Sequence, residues 1–266
     1  MNLKDLARRV LPECCHFGHW VPRYFDRLAR LRTGDVVASG PFRGMRLTGR
    51  SFASVYTAKL VGCYEREIHD CVEDFIAWQP ELIVDVGAAE GYYAVGLARR
   101  CPSVRVIAFE AESEGRKMPA ETVAANQVEQ RTEIRGYCTK QDLRKAINSA
   151  QQRVGIVMDC EGGEMELLDP GEIPELRKCE ILLETHEFKQ PGAHATFRAR
   201  FARTHQILEI EQSRRVADEY PFGNWLTPFL PKVYRMLAVF EHRPPINRWL
   251  FMLPIGAAVK TEPLLL

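Results

Sequence analysis

The sequence predicts an α/β protein. It would be a Rossmann-like, mostly parallel sheet with helices on both faces, an antiparallel C-terminal edge hairpin, and an N-terminal helical and hairpin extension. Three observations carry this expectation. Short apolar runs alternate with helical patterns from residue 81 onward, as repeated βαβ units require. Several runs end in an acid, as in "LIVDVG", "VRVIAFE" and "VGIVMD". Two late runs, "HQILEIEQ" and "RMLAVFEH", have little helix between them and suit antiparallel pairing.

Taken in order, residues 3 to 31 read as two amphipathic helices broken near Pro12 and Pro22. "DVVASGPFRGMRL" reads as a hairpin around a Gly-Pro-Phe-Arg-Gly turn. Apolar residues from Leu60 to Ile76 recur at helical spacing until Pro80, predicting one long helix. Within this stretch Tyr64 and Glu65 suit either the lining of a substrate lid or one face of an amphipathic helix, whereas Glu67 and His69, which could also join a lid, read as that helix face. Strands then follow at "LIVDVG", "VRVIAFE", "RTEIRG", "VGIVMD" and "CEILLETH". Helices follow at "YYAVGLARR", "GRKMPAETVAAN", "KQDLRKAINSA", "GEMELL" and "HATFRARFART". The expected organisation is an extension over 1–78 making cap, substrate or oligomer contacts, a core over 79–243, and a tail over 244–266. That tail would pack on the core or on a second subunit of a homodimer.

Composition narrows the function. The chain has 266 residues, 46% of them hydrophobic, enough for a sizeable core. Its 36 Lys and Arg balance 35 Asp and Glu, so overall charge gives no reason to expect nucleic acid. Eight scattered cysteines without CxxC spacing read as reduced thiols of a cytoplasmic protein. The charged start "MNLKDLARRV" is not a secretory leader, and no run of 18 apolar residues predicts a membrane span. "CCHFGH" (Cys14, Cys15, His16, His19) has zinc-ligand chemistry, but adjacent cysteines suit one tetrahedral site poorly, and the segment reads as packing.

The loop after the first strand, Asp85 to Tyr92, indicates the cofactor. In open parallel sheets ligands bind at the carboxyl ends of the strands. A dinucleotide loop needs G-x-G-x-x-G; here Gly91 follows Gly87 by four residues, and Glu90 would repel a pyrophosphate. No G-K-[ST] follows, so the loop is not a P-loop. A nucleoside cofactor without phosphates, bearing cationic groups, suits an acidic loop. S-adenosylmethionine, with its sulfonium and ammonium, is such a molecule. Glu110 ends the second strand 19 residues beyond Gly91, where an acid reaches ribose hydroxyls.

The stretches "IVDVGAAEGYYAVGLA" (83–98), "VIAFEA" (106–111), "VMDCEGGEMELLDP" (157–170) and "ILLETHEF" (181–188) resemble class I S-adenosylmethionine-dependent methyltransferases, and more narrowly the FkbM-type family. The shared pattern is a D-x-G-x-x-x-G-x-Y loop, an acid after the second strand, D-x-E-G-x-E after the fourth and E-x-H after the fifth. It covers residues 81 to 188; residues 1 to about 50 and the tail carry little of it. Ala89 stands where many such enzymes have glycine, and Gly163 where a small or aromatic residue is common. The resemblance implies that Asp85, Gly87 and Gly91 hold the methionine part of the cofactor, with Ala89 beside them. It places Glu110 and Ala111 at the ribose and Tyr137 and Cys138 near the adenine. It implies an acceptor hydroxyl on a sugar, glycolipid or polyketide-type natural product.

Methyl transfer to an alcohol needs alignment and a place for the proton. Asp159 ends the fourth strand, beside the first, and should adjoin both the cofactor and the reacting methyl. His186 ends the fifth. The sequence assigns His186 as general base, Asp159 as its orienting carboxylate and Glu161 as a contact to the hydroxyl or base. Glu164 reads as an acid serving a helix N-terminus, worth about 0.3–1 kcal/mol, and Glu166 as a solvated one. Glu184 reads as a strand-end acid that needs a partner. Asp159 with Glu187 could hold Mg²⁺ or Ca²⁺, but two carboxylates do not define a site, so no metal ligand is assigned. The alternatives are N-methylation of a small molecule, or a catalytically inactive S-adenosylmethionine-binding protein.

Overall fold

A computed structural model describes residues 17–51, 55–113, 115–241, 243–244 and 246–256, with only the backbone of 17–22. The "CCHFGH" cysteines and the side chains of that motif lie outside the described residues, as does Pro12. In chain order the helices are α1 (Phe17–Thr33), α2 (Tyr56–Val61), α3 (His69–Ala77), α4 (Tyr92–Arg100), α5 (Lys117–Ala125), α6 (Lys140–Ile147), α7 (Glu164–Leu167), α8 (Ala193–Phe201) and α9 (Lys232–Ala238). The strands are β1 (Leu82–Val86), β2 (Arg105–Phe109), β3 (Thr132–Arg135), β4 (Val154–Met158), β5 (Glu180–Thr185), β6 (His205–Glu211) and β7 (Arg248–Pro254).

Two compact units form. One joins Met1–Arg66 with Ser213–His242; the other joins Glu67–Gln212 with Arg243–Leu266. The second contains the whole seven-stranded sheet, in the order β3-β2-β1-β4-β5-β7-β6. β1 to β5 are parallel, and β7 runs antiparallel to both β5 and β6. Strand order reverses between β1 and β4, so their carboxyl ends open a crevice there. β1, β4 and β5 are buried along their whole length, which their aliphatic cores anticipate, and they carry the buried acids Asp85, Glu180 and Glu184 with them. Leu82, Val84, Ile156, Met158, Ile181 and Leu183 form one core with Leu143, Leu167, Phe197 and Phe201 from the helices. Elsewhere in this unit the Phe75 ring of α3 lies over Gly155, where a Cβ would come within 2.2 Å of it.

In the first unit the predicted hairpin is present in miniature, with a single bridge between Val36 and Arg46. Tyr220 donates its hydroxyl hydrogen bond to the Phe25 carbonyl at 2.5 Å. Arg215 pairs with Glu241 at 2.7 Å, and Glu241 also accepts the Glu65 amide. Tyr64 and Glu65 are buried.

Four local expectations need correction. α1 continues through Pro22 with no break. The pattern from 60 to 76 is two helices, because Gly62 closes α2 in a left-handed conformation at φ 89°. "RMLAVFEH" is no strand; most of it belongs to α9 and its cap, behind Pro231. The antiparallel partner of β6 is instead "RWLFMLP", which the sequence places in the tail. Its buried Trp249–Met252 run occupies the position between β5 and β6. A short apolar run does not distinguish helix from strand; the available sheet position does.

Candidate active site

The first element of the site is built almost wholly from backbone. After β1 the chain passes through Gly87 (φ 95°), Ala89 (φ 46°) and Gly91 (φ 85°), all in the left-handed region. Gly87 is obligatory: a Cβ there would lie 1.8 Å from the Asp159 carbonyl oxygen. The Asp159 amide in turn donates to Val86 at 2.9 Å, so the β1 and β4 loops touch backbone to backbone. Ala89 accepts a conformation that glycine adopts freely, at a cost of about 1 kcal/mol.

Glu110, at the end of β2, folds back onto this loop. Its Oε2 accepts the Ala89 amide at 2.8 Å and its Oε1 the Glu112 amide at 2.9 Å. The amides of Gly87 and Ala88 go to the Phe109 carbonyl, and that of Gly91 to Ala88. The amides of Gly87, Ala88, Ala89 and Gly91 are therefore spent within the protein. Asp85, Glu90 and Glu110 are all buried around the turn.

The expected adenine side is only partly assembled by side chains. Tyr137 is 65% exposed beyond β3. Cys138 is not: its thiol lies in the hydrophobic core, where burial pushes its pKa up to about 12. Any contact from Cys138 must come from its backbone. Ala111 is exposed, with its carbonyl held by Arg116 at 2.9 Å.

The second element gathers at the ends of β4 and β5. His186 is 2% exposed. Its Nδ1 lies 2.8 Å from Glu164 Oε1, and Glu164 is buried as well. The same carboxylate oxygen accepts the amides of Cys160 and Gly162. Burial would raise the Glu164 pKa, but the hydrogen bond and charge of His186, with the backbone amides of Glu164 and Gly162, hold it below its ordinary value. An ionised Glu164 only accepts, so Nδ1 carries the proton and Nε2 faces the crevice. Around Nε2 stand Asp159 Oδ1 at 3.4 Å, Glu161 Oε2 at 3.7 Å and Glu184 Oε2 at 3.7 Å. Burial works against a charged imidazole. The Glu164 hydrogen bond and the Asp159, Glu164 and Glu161 charges outweigh it and raise the pKa.

The sequence-assigned trio, His186, Asp159 and Glu161, thus meets in space, but the division of roles changes. Glu164, expected to serve a helix terminus, is the carboxylate that orients His186. Asp159 faces the other nitrogen, and burial raises its pKa. Glu161 sits at the rim with φ 57° and pairs with Lys189 at 2.5 Å. Glu187 is elsewhere: its carboxylate caps the start of α8 through the Gly192 and His194 amides. Its place beside Asp159 is taken by Glu184, which Arg243 and Asn247 hold at 3.3 and 3.4 Å. Glu164 is four residues before Leu168 on a strongly acidic stretch, and sequence offers no sign that it turns inward. Arg243 and Asn247 reach the site through the β7 pairing, which sequence reasoning missed.

No protein-family model matches the chain, and no curated protein sequence matches it. Solved structures do resemble it in fold. A putative rRNA methylase from Clostridium thermocellum matches at 9% identity and TM-score 0.47, over 70% of this chain and 95% of its own. Precorrin-6y C5,15-methyltransferase from Geobacter metallireducens matches at 9% and 0.44, over 69% and 87%. An O-methyltransferase from Bacillus cereus, solved with SAH, matches at 11% and 0.41, over 79% and 89%. At this distance none of them assigns an activity to this chain. The chain's own geometry must do that.

Proposed function

We propose that this protein is an S-adenosylmethionine-dependent methyltransferase that acts on a small-molecule hydroxyl. The observation that carries the reading is the β1 loop. It has the tight left-handed turns of a nucleotide-binding loop, yet Glu110 and Phe109 take the amides of Gly87, Ala88 and Ala89, and three buried acids lie around it. Such a loop disfavours phosphate and suits a phosphate-free nucleoside bearing cationic groups. Asp85, Gly87, Ala89 and Gly91 would hold the methionine part, Glu110 and Ala111 the ribose, and Tyr137 with the Cys138 backbone the adenine.

The acceptor would enter above β4 and β5, where Asp159, Glu161 and His186 converge. The sulfonium activates the methyl carbon already. The protein's task is to align the oxygen with that carbon, worth up to roughly 7–11 kcal/mol, and to remove the hydroxyl proton at this cluster. The contact between the Gly87 and Asp159 backbones supports this arrangement by bringing the two loops together.

Calorimetry with S-adenosylhomocysteine tests cofactor binding: saturable binding supports the reading, and no heat at millimolar ligand ends it. Transfer of labelled methyl to a panel of sugar, glycolipid and polyketide alcohols, beside matched amines, then tests the acceptor class. Turnover on alcohols that falls at least 100-fold in Asp159→Asn supports it; turnover confined to amines replaces it with N-methylation.

A further inference from the structure

We infer that Asp159, Glu184 and His186 form a binding site for a divalent first-row metal ion, with Glu164 as its outer support. This inference deepens the reading above, because it names what removes the acceptor's proton. The three residues each offer one ligand atom within 4.8 Å of the other two. The independent pointer is His186 Nε2. It belongs to a side chain that is almost wholly buried, it makes no hydrogen bond, and it is aimed at carboxylate oxygens 3.4 to 3.7 Å away. The Asp159 and Glu184 oxygens converge on that nitrogen from two different strand ends. Asp159 Oδ1 is likewise buried without a hydrogen bond. An imidazole nitrogen and two carboxylate oxygens gathered this closely suit a cation between them.

The spacing fits one. Ligand atoms at about 2.0–2.2 Å from a common ion lie roughly 3.0–3.6 Å apart, depending on coordination angle. The 3.4 Å separation falls within that range, and the 3.7 Å separation needs closure by a few tenths of an ångström. Charge fits as well. Among the described residues Lys189 meets Glu161 and Arg243 meets Glu184, while Asp159 and Glu164 share His186. A buried imidazole whose second nitrogen donates to a carboxylate is also how metal-bound histidines are held, and losing that support typically costs 10–100-fold in affinity. Imidazole with two carboxylates suits Zn²⁺, Mn²⁺ or Fe²⁺, whereas Mg²⁺ and Ca²⁺ prefer oxygen alone.

Three protein ligands leave coordination positions open for the acceptor oxygen. There the hydroxyl is acidified and passes its proton to Glu161. Its oxygen then bonds the methyl carbon as the carbon–sulfur bond breaks, with the electron pair remaining on sulfur. His186 serves as ligand and no longer as general base.

Mn²⁺ titration of the full chain, read by electron paramagnetic resonance, tests the site. Mn²⁺ also avoids strong binding to the thiols. One equivalent should bind, and the spin-echo spectrum of the wild-type complex should show coupling to one imidazole nitrogen. Affinity should fall at least 100-fold in His186→Ala and Glu184→Gln, and 10–100-fold in Glu164→Gln. Absence of binding at millimolar Mn²⁺, bound Mn²⁺ without nitrogen coupling, or undiminished affinity in both ligand variants overturns the site. S-adenosylhomocysteine calorimetry on the same samples separates the two proposals. Cofactor binding without metal sinks the metal site alone, and metal binding without cofactor sinks the methyltransferase reading alone.

Discussion

The loop after β1 and the cluster after β4 and β5 adjoin backbone to backbone, yet they are built in opposite ways. The loop is made of backbone. Its shape comes from left-handed residues at Gly87, Ala89 and Gly91, and the Glu110 side chain ties amides together. The cluster is made of side chains from four segments, 159–164, 184–186, 189 and 243–247. A backbone site tolerates few changes of shape, because a Cβ in the wrong place cannot rotate away. A side-chain site tolerates changes of shape but not of charge, because each buried ion depends on its neighbours.

The sharpest way to break this comparison is Gly87→Ala. The added methyl would collide with the Asp159 carbonyl and requires a φ that L residues avoid, so it should damage both regions together. A loss on the order of 3–5 kcal/mol in stability is expected, with no measurable S-adenosylhomocysteine binding, by thermal melting and calorimetry. Intact binding would show that the two loops are not rigidly joined.

A buried acid outside both regions sharpens the charge argument. Glu180 on β5 is buried beside Asp74, and desolvation first, then that charge, raises its pKa from 4.5 to about 8. An acid whose folded pKa is raised destabilises the fold. The cost is absent below pH 4.5, grows between pH 4.5 and 8, and is constant above. Glu180→Gln should therefore change little at pH 4 and stabilise by on the order of 3 kcal/mol at pH 9, by denaturant unfolding at both pH values. A gain that is equal at the two pH values would mean that the fold does not raise the Glu180 pKa.

Glu110→Ala removes the acceptor for the Ala89 and Glu112 amides. Hydrogen bonds to a charged group are worth about 1.5–3 kcal/mol each, so S-adenosylhomocysteine affinity should fall 10–100-fold, with Mn²⁺ affinity unchanged. Parallel loss of both ligands would show that the regions act as one. The smallest effect belongs to Ala89→Gly. Relief at φ 46° is offset by a more flexible unfolded chain, so stability should move by no more than about 0.5 kcal/mol, with cofactor affinity intact. A large loss would mean that the Ala89 methyl itself touches the cofactor.

The difference between the regions also decides how much of each was legible in the sequence. The loop is continuous in the chain, and glycine spacing reports backbone conformation directly. Asp85, Gly87, Gly91 and Glu110 could therefore be placed without coordinates. Cys138 could not, because whether its thiol faces cofactor or core depends on how β3 and α6 pack. In the cluster, Asp159, Glu161 and His186 were legible as strand-end residues at neighbouring positions of a parallel sheet. Which nitrogen of His186 each acid meets was not.

By itself, the sequence determined the alternation of strands and helices, the five parallel strands and the residues at their carboxyl ends, because period and run length are local properties. Tertiary structure alone decided the rest. The slot between β5 and β6 went to Arg248–Pro254 because an interior position of the sheet needs a strand buried on both faces. Glu164 turned inward because His186, 22 residues away, offered the partner that a buried carboxylate requires. Glu184 replaced Glu187 beside Asp159 because strand register, and not sequence spacing, sets which acids share a site.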